Sequence, residues 1–480
     1  MAYESDVVVV GCGIAGVSAA VSAAQAGASV RVLERSPKAE RGGNSIYTSA
    51  DIRMKSVTEV TDDFVDLLVR TSATFVHHSH NAATLKPYDE WPPVLRAYGF
   101  ADPEVVTAFA EGAPESIAWL RSCGVRFDVS INPTNGVPCL KTIGGGQEAV
   151  ERSALAAEKL GVTFHYDTSG QSLDLNEKGA VVGVRAWSKD ADGPVDFASK
   201  AVILASGGFE GNLEMSTKYL GPHAYRLRPV CRGGMYNKGE GIKMALKAGA
   251  APAGSYDDFH AMIVDPRSVH PESIQPWNYG ILVNVRGERF IDEGSDARTR
   301  IADDVGRAIL AQPDGMAYFI YDTRIQETAN FQRQINSSMP PVKAASIEDL
   351  ATGLGLNPSK LKATIQAFNA AVQDGEFTPI APDGKRTLGI TPPKSNWART
   401  IVGPEYVAYP LVCTNCFTFG GIRVSPRAQV VNTEGYEIPG LYAAGEVIGM
   451  YYGSYVGSTS FLKGLVFGRI AGRNAGNLHS

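Results

Sequence analysis

Three glycines and one acid near the start of the chain have the spacing that phosphate chemistry requires. Gly11-Cys12-Gly13-Ile14-Ala15-Gly16 is a GxGxxG run, and Glu34 follows it. Gly11 permits a tight turn, Gly13 lets the backbone approach a pyrophosphate, and Gly16 lets helix and strand pack closely. Ile14 and Ala15 open the helix, whose free N–H groups point at the phosphates. Glu34 lies about twenty residues on, where a carboxylate accepts hydrogen bonds from ribose hydroxyls. Arg35 adjoins it, and Arg41-Gly42-Gly43-Asn44-Ser45 forms a second glycine-rich turn. A second such turn is unusual in a plain nicotinamide site. It suits a cofactor that continues past the first phosphate loop, so the two turns together favour FAD over NAD. Asn44 and Ser45 offer hydrogen bonds to the phosphate or the flavin edge. The motif by itself is weak, because any glycine turn between strand and helix produces it. Its weight comes from the elements around it.

Those elements read in the order a dinucleotide site needs. Asp6 to Gly11 is a short β-branched apolar run, the pattern of a buried parallel strand. Val17 to Ala26 has no breaker and reads as a helix closed by Gly27, and Ser29 to Leu33 is a second strand. Residues 60 to 125 read mostly as helices, with starts at Thr61-Asp62-Asp63 and Asp102-Pro103-Glu104. Gly144-Gly145-Gly146 precedes a helix from Glu148 to Leu160 and makes a second possible anion-facing turn. Val162 to His165 is a strand, and Val181 to Ala186 with Val195 to Leu204 reads as a strand pair. The latter delivers Ala205-Ser206-Gly207-Gly208-Phe209 to the ligand edge of the sheet, so Ser206, Gly207 and Gly208 are expected at the cofactor. Gly241 to Ala248 is a helix, Ile281 to Phe290 resembles a hairpin turning at Arg286-Gly287-Glu288, and residues 347 to 375 hold two helices. A looser segment begins at Pro392-Pro393. The chain then returns to the first sheet through Val430-Val431 and the strand from Ile438, which ends at Gly445-Glu446. Glu446 is expected to bond the ribityl chain or pyrophosphate-side groups. Ser460, Phe461 and Leu462 begin the last helix, whose N–H groups would stabilise negative charge at the N1/O2 edge of a reduced flavin. The implied fold is α/β: a Rossmann-like FAD-binding domain of the glutathione-reductase type over residues 1–254 and 421–480, with an inserted α+β capping domain at 255–420.

Composition narrows the rest. A chain of 480 residues with 44% hydrophobic content can build two or three cores. Net charge is −5 with a pI near 6.0, and no basic stripe offers itself to nucleic acid. Six cysteines are scattered, which is no disulfide framework. Cys413 and Cys416 form one CxxC, but a structural zinc needs two more ligands and none is suitably spaced. His77-His78-Ser79-His80 invites a metal reading too; solvated surface is the plainer one, and no metal is expected. The acidic start, Glu4 and Asp6 before a short apolar run, is unlike a secretory signal. No window approaches the apolar length of a membrane span. The expectation is a cytoplasmic protein.

Assembled, these pieces resemble the flavoprotein family of fumarate reductases, succinate dehydrogenase flavoprotein subunits, L-aspartate oxidases and 3-ketosteroid dehydrogenases. The resemblance runs over nearly the whole chain, through the glycine fingerprint, Gly42-Gly43-Asn44-Ser45, Ala205-Ser206-Gly207-Gly208-Phe209, Gly239-Glu240-Gly241, Ile281-Leu282-Val283-Asn284, Arg289-Phe290 and Gly440-Leu441-Tyr442-Ala443-Ala444-Gly445-Glu446. Thr61 to Phe64, Ile117 to Leu120, Gly124 to Phe127 and Gly144 to Gly146 are most similar to the tricarballylate dehydrogenases and the related flavoprotein of cobalamin synthesis. Membership implies hydride exchange between FAD N5 and a carbon next to an activating carboxylate or carbonyl, under a cap domain. Two departures argue against plain fumarate reduction: Tyr455 stands where fumarate reductases keep an arginine, and Phe417 where they keep a histidine. The tricarballylate branch carries aromatic residues at both places. No histidine lies in Ile46 to Asp51, where some members attach FAD, so the cofactor is expected to be non-covalent.

The catalytic candidates follow from the resemblance. The family's proton-donating arginine lies near the end of the first cap hairpin, and Arg298, with Arg300 as its rival, is the nearest match. Either would hold a carboxylate or carbonyl against positive charge. His260 is a substrate ligand or proton relay by likeness to the tricarballylate branch, or else a satisfied structural histidine. Tyr455 is a substrate-facing hydroxyl or an aromatic wall. Arg267 and Arg423 are weaker anion candidates, and Arg469 ties the last helix to the sheet. The alternative activity is that of a ketosteroid-type dehydrogenase or other ene-reductase on a neutral cyclic ketone. A non-catalytic flavin-binding protein is the bland rival. The partner is a small molecule, carboxylate or enone. The electron donor or acceptor is open: no haem CxxCH or iron–sulfur cysteine set is present.

Overall fold

A computed structural model describes residues 2–72, 90, 92, 93, 101–131, 137–268, 273–379 and 381–479, without the side chains of Arg70, Ser72, Thr299, Arg300 and His479. The His77–His80 cluster therefore lies outside the described residues, as does the Arg300 side chain. The larger sheet has eight strands. Five run parallel in the order Glu437–Ala443, Gly193–Leu204, Ala2–Val10, Val30–Leu33 and Thr163–His165. Val7, Val8 and Val9 at its centre are fully buried, as a strand covered on both faces must be. The first helix, Ile14–Gln25, lies over it, and the last helix, Ser460–Gly476, packs along the first. Small residues set that distance. A Cβ on Gly468 would stand 2.4 Å from the Ala15 carbonyl oxygen, and one on Gly472 would stand 2.2 Å from that of Ala19.

A mixed six-stranded sheet forms the cap. Its long central strand, Tyr406–Thr418, pairs with Phe259–Val264 on one side and Met316–Asp322 on the other. The helix Arg298–Leu310 crosses Phe259–Val264 so closely that a Cβ on Gly306 would lie 2.5 Å from Cβ of Ala261. One short cap strand, Arg228–Pro229, comes from before residue 255.

Two local expectations need correction. The strand Thr168–Leu175 joins the pair after it and makes a three-stranded run; its sequence, TSGQSLDL, is too polar to announce a strand. The Ile281–Phe290 hairpin is abbreviated. Its turn closes through Gly287 N–H to Asn284 O at 2.9 Å, but only Ile281–Asn284 is a strand, and it pairs with Met316–Asp322. Arg289 still bridges Val283 through its backbone, and its side chain clamps the buried Glu293 carboxylate at 2.6 Å. No helix among the described residues is long and apolar enough to cross a membrane.

Candidate active site

The parallel strands end at a cavity with about 1220 Å³ of empty space, bordered by Val10, Leu33 and Ala205 at their C-terminal ends. Gly11, Gly13, Ile14, Ala15, Glu34 and Arg35 line it. So do Gly42, Gly43, Asn44, Ser45, Ser206, Gly207, Gly445, Glu446, Ser460 and Phe461. Gly16, Gly208 and Leu462 do not, and each has packing work instead. A Cβ on Gly16 would sit 2.0 Å from the Gly11 carbonyl oxygen, and one on Gly11, whose φ is 109°, would sit 2.3 Å from that of Ala205. The loop thus closes on its own backbone, while a Cβ on Gly13 would meet only Ser45 Oγ at 3.2 Å and Gly42 O at 3.5 Å. That cradle, at the start of a helix, fits FAD.

Several side chains expected at the cofactor are held by the protein. Glu34 accepts the N–H of Cys12 at 2.8 Å and of Ser36 at 2.7 Å, so its carboxylate first fixes the glycine loop. Arg35 pairs with Glu240 at 2.6 Å. Ser45 Oγ accepts the Ile14 N–H at 3.1 Å. Asn44 is spent: its amide donates to Glu210 at 2.6 Å and to the Cys416 carbonyl at 2.9 Å, and its oxygen accepts from Cys231. Glu446 likewise accepts from the N–H and hydroxyl of Thr418 at 2.8 and 3.1 Å. Gly208 makes room for it, since a Cβ there would stand 2.0 Å from Glu446 Oε1. Burial, and then the facing Glu446, pushes Glu210 well above the carboxylate range.

Lys463 went unnoticed in the sequence because it sits in an apolar helix. It is buried at the cavity, donates to Ile448 O at 2.9 Å and lies 4.6 Å from the Tyr451 ring centre. Burial pushes it from 10.5 down to about 7, against the pull of Glu446. Between those values the unfolded chain binds more protons than the folded one, so flavin-free stability rises with pH from about 7 to about 10.5. Below that window the folded state carries the whole cost of a buried ammonium. Lys463→Met is therefore expected to raise the melting temperature at pH 6 by on the order of 3 °C and to flatten the rise. Thermal melts of apo-protein across pH check both.

Behind the cavity lies a cluster of rings. Phe417 and Tyr451 line the cavity and pack on Tyr455 with centroids 4.9 and 5.3 Å away. His260 lies 4.5 Å from Tyr455 and 5.3 Å from Phe417. A β-bulge at Cys416, opposite His260 and Ala261, brings Cys416 and Phe417 to the cavity. Cys413 packs elsewhere, with Ala261 and Leu310, so the CxxC pair is divided. The Tyr455 hydroxyl turns to the last helix, where it accepts the N–H of Thr459 and of Ser460, each at 3.1 Å, and pairs with Ser460 Oγ at 3.0 Å. Burial pushes it up, so it stays protonated. His260 Nδ1 meets Asp303 at 2.9 Å.

The arginines separate. Arg298 donates to Gln275 at 3.2 Å, and its buried Nη2 has no partner among the described residues. Burial pushes it down to about 10. It shares no hydrogen bond or ring contact with His260. Arg267 is committed to Asp265 at 2.7 Å and Arg423 to Asp102 at 3.4 Å. Arg469 pairs with Glu115 and stacks over Trp119 of the helix Pro103–Ser122, so it ties the last helix to another helix and not to the sheet. Among the described residues no group of three or more metal-type ligands gathers.

A sequence profile for the FAD-binding domain matches residues 6–462. A probable fumarate reductase of Shewanella frigidimarina is 27% identical over 98% of this chain and 74% of its own. The vinyl phenol reductase of Lactiplantibacillus plantarum is 27% identical, over 98% and 96%. The chain spans 47% of the NADH:fumarate oxidoreductase of Klebsiella pneumoniae, also 27% identical over 98% of this chain. Among solved structures, a flavocytochrome fumarate reductase in its open conformation superposes with a TM-score of 0.77 at 25% identity, over 99% of this chain and 78% of that one. A 3-ketosteroid-Δ4-(5α)-dehydrogenase from Rhodococcus jostii, bound to 4-androstene-3,17-dione, gives 0.68 at 27%, over 99% and 97%.

Proposed function

This chain belongs to the FAD-binding domain family and is an FAD-dependent oxidoreductase, and from that premise we propose that it interconverts a CH–CH bond and a C=C bond next to a carboxylate or carbonyl. The observation that carries the reading is the ring cluster of His260, Tyr455, Phe417 and Tyr451, which shares two of its members with the cofactor cavity. When bound, FAD supplies hydride transfer at N5. The Gly11–Gly16 turn, Gly42 to Ser45, Ser206-Gly207 and Gly445-Glu446 would hold it without a covalent bond. In the first turn of the last helix the Ser460 N–H is taken by Tyr455, so the N–H groups of Phe461 and Leu462 are those that would serve the flavin. Residues 255–420 close over the substrate.

The substrate needs its carbonyl or carboxylate oxygen held while negative charge builds on it. Arg298 is the cation for that task, with Arg300 its alternative; a buried guanidinium with an open Nη2 attracts an anion in low dielectric. His260 moves the proton at its free ring nitrogen. Tyr455 and Phe417 exclude water, and the Tyr455 hydroxyl would reach a substrate only by giving up Ser460. Arg298 and the aromatic residues at 417 and 455 support a tricarballylate-type polycarboxylate as substrate.

The ring cluster also supports a second reading, a neutral cyclic ketone or enone. The likeness to a steroid-bound dehydrogenase points the same way. Anaerobic titration of the FAD-loaded protein separates the two. Bleaching of the oxidised flavin band by tricarballylate or a related polycarboxylate is the expected result. Bleaching by a saturated cyclic ketone, and by no acid, would move the assignment to the neutral substrate.

A further inference from the structure

The carboxylate against His260 is an acid that no motif announces. Asp303 lies in the helix Arg298–Leu310 and is buried, with 6% of its surface exposed. Its Oδ1 meets His260 Nδ1 at 2.9 Å and accepts the Ala261 N–H at 2.8 Å. Its Oδ2 accepts the Tyr455 N–H at 3.3 Å. One carboxylate thus touches a cap strand, a cap helix and the segment leading into the last helix. Gly306, one turn further along the same helix face, allows this, because its missing side chain brings the helix onto Ala261.

The chemistry of the contact fixes the imidazole. An ionised carboxylate only accepts, so His260 Nδ1 must carry the hydrogen. In the neutral ring the lone pair then sits on Nε2. Nε2 makes no hydrogen bond among the described residues, while the ring packs beside Tyr455 and Phe417. The other charges nearby have partners of their own: Arg307 holds Asp258 and Asp304, each at 2.8 Å. That leaves Asp303 to His260, Ala261 and Tyr455.

We propose that Asp303 is a positioning residue for His260, holding the ring in its Nδ1–H form so that Nε2 is the proton-transferring atom. The proposal rests on the reading above only for His260's task. The tautomer and orientation it assigns stand without a known substrate.

Two measurements test it separately. In long-range ¹⁵N–¹H spectra of the FAD-loaded, histidine-labelled protein, with His260 assigned through His260→Gln, the neutral ring is expected as the Nδ1–H tautomer. Asp303→Ala removes the acceptor, and the ring is expected to convert toward the Nε2–H tautomer that free neutral imidazole prefers. A wild-type ring in the Nε2–H form, or one unchanged by Asp303→Ala, would overturn the proposal. In turnover, Asp303→Ala is expected to lower kcat by on the order of 10²-fold with KM and flavin content little changed. The double variant with His260→Ala is expected to be no slower than His260→Ala alone. Losses that multiply would overturn the positioning role, because Asp303 would then act independently of His260. If His260→Ala alone leaves turnover intact, the proton role of His260 fails, and the tautomer result still decides what Asp303 does.

Discussion

Gly13→Ala is expected to purify as a folded protein that has lost its flavin. Gly13 has φ −69° and ψ 179°, which any residue adopts. A Cβ there would meet Ser45 Oγ at 3.2 Å and Gly42 O at 3.5 Å, so the protein accommodates it with a small shift of one hydroxyl. Its cost to the apo fold should stay within about 1 kcal/mol, ordinary for a substitution away from a packed core. The methyl group instead occupies the space where phosphate oxygens must approach the backbone. Affinity for FAD should fall at least ~100-fold, about 2.7 kcal/mol. Gly16→Ala makes the contrast. Its Cβ would stand 2.0 Å from Gly11 O, so it should lose both flavin and fold. Flavin absorbance per protein, a thermal melt and an FAD titration read the outcome. A Gly13→Ala protein that binds FAD as the wild type does would remove the pyrophosphate from this turn.

The difference between those neighbouring glycines also shows what a sequence can carry. The opening strand, glycine turn, helix, second strand and acid were legible because each depends on local rules: apolar periodicity, backbone freedom and spacing along one chain. The bonds that Asn44 and Glu446 make within the protein were not: both line the cavity, and Asn44 is bound to Glu210, 166 residues away, and Glu446 to Thr418, 28 residues away. A buried carboxyl that claims nearby donors has no signature in its own neighbourhood. Asp303 was hidden for a related reason. Within Ile301-Ala302-Asp303-Asp304-Val305 it reads as half of an acidic, solvated helix face, and only Gly306 packing on Ala261 turns it inward. The pairings of the six-stranded sheet were not legible either, since the strand Tyr406–Thr418 finds its partners about a hundred residues earlier, where periodicity says nothing.

Arg298→Met is expected to make the protein more stable and less active at once. Arg298 is the first residue of its helix, where the helix dipole disfavours a cation. Its Nη2 is closed off from solvent without an acceptor among the described residues, and its one hydrogen bond, to Gln275, is long at 3.2 Å. Burial pushes the guanidinium down to about 10, against the pull of Tyr279, so burial disfavours the charged form there. A side chain kept against three unfavourable terms is retained for something other than folding. Methionine keeps much of the volume and removes the charge, so the melting temperature should rise by on the order of 2 °C. Turnover of a carboxylate substrate should fall by on the order of 10²–10³-fold with the flavin spectrum unchanged. Arg298→Lys should recover little, because an ammonium cannot present two parallel donors to a carboxylate. Stability and activity moving in opposite directions would mark Arg298 as the anion-holding cation. Stability falling together with activity would mark it as part of the cap's own packing, and the search for that cation would pass to Arg300.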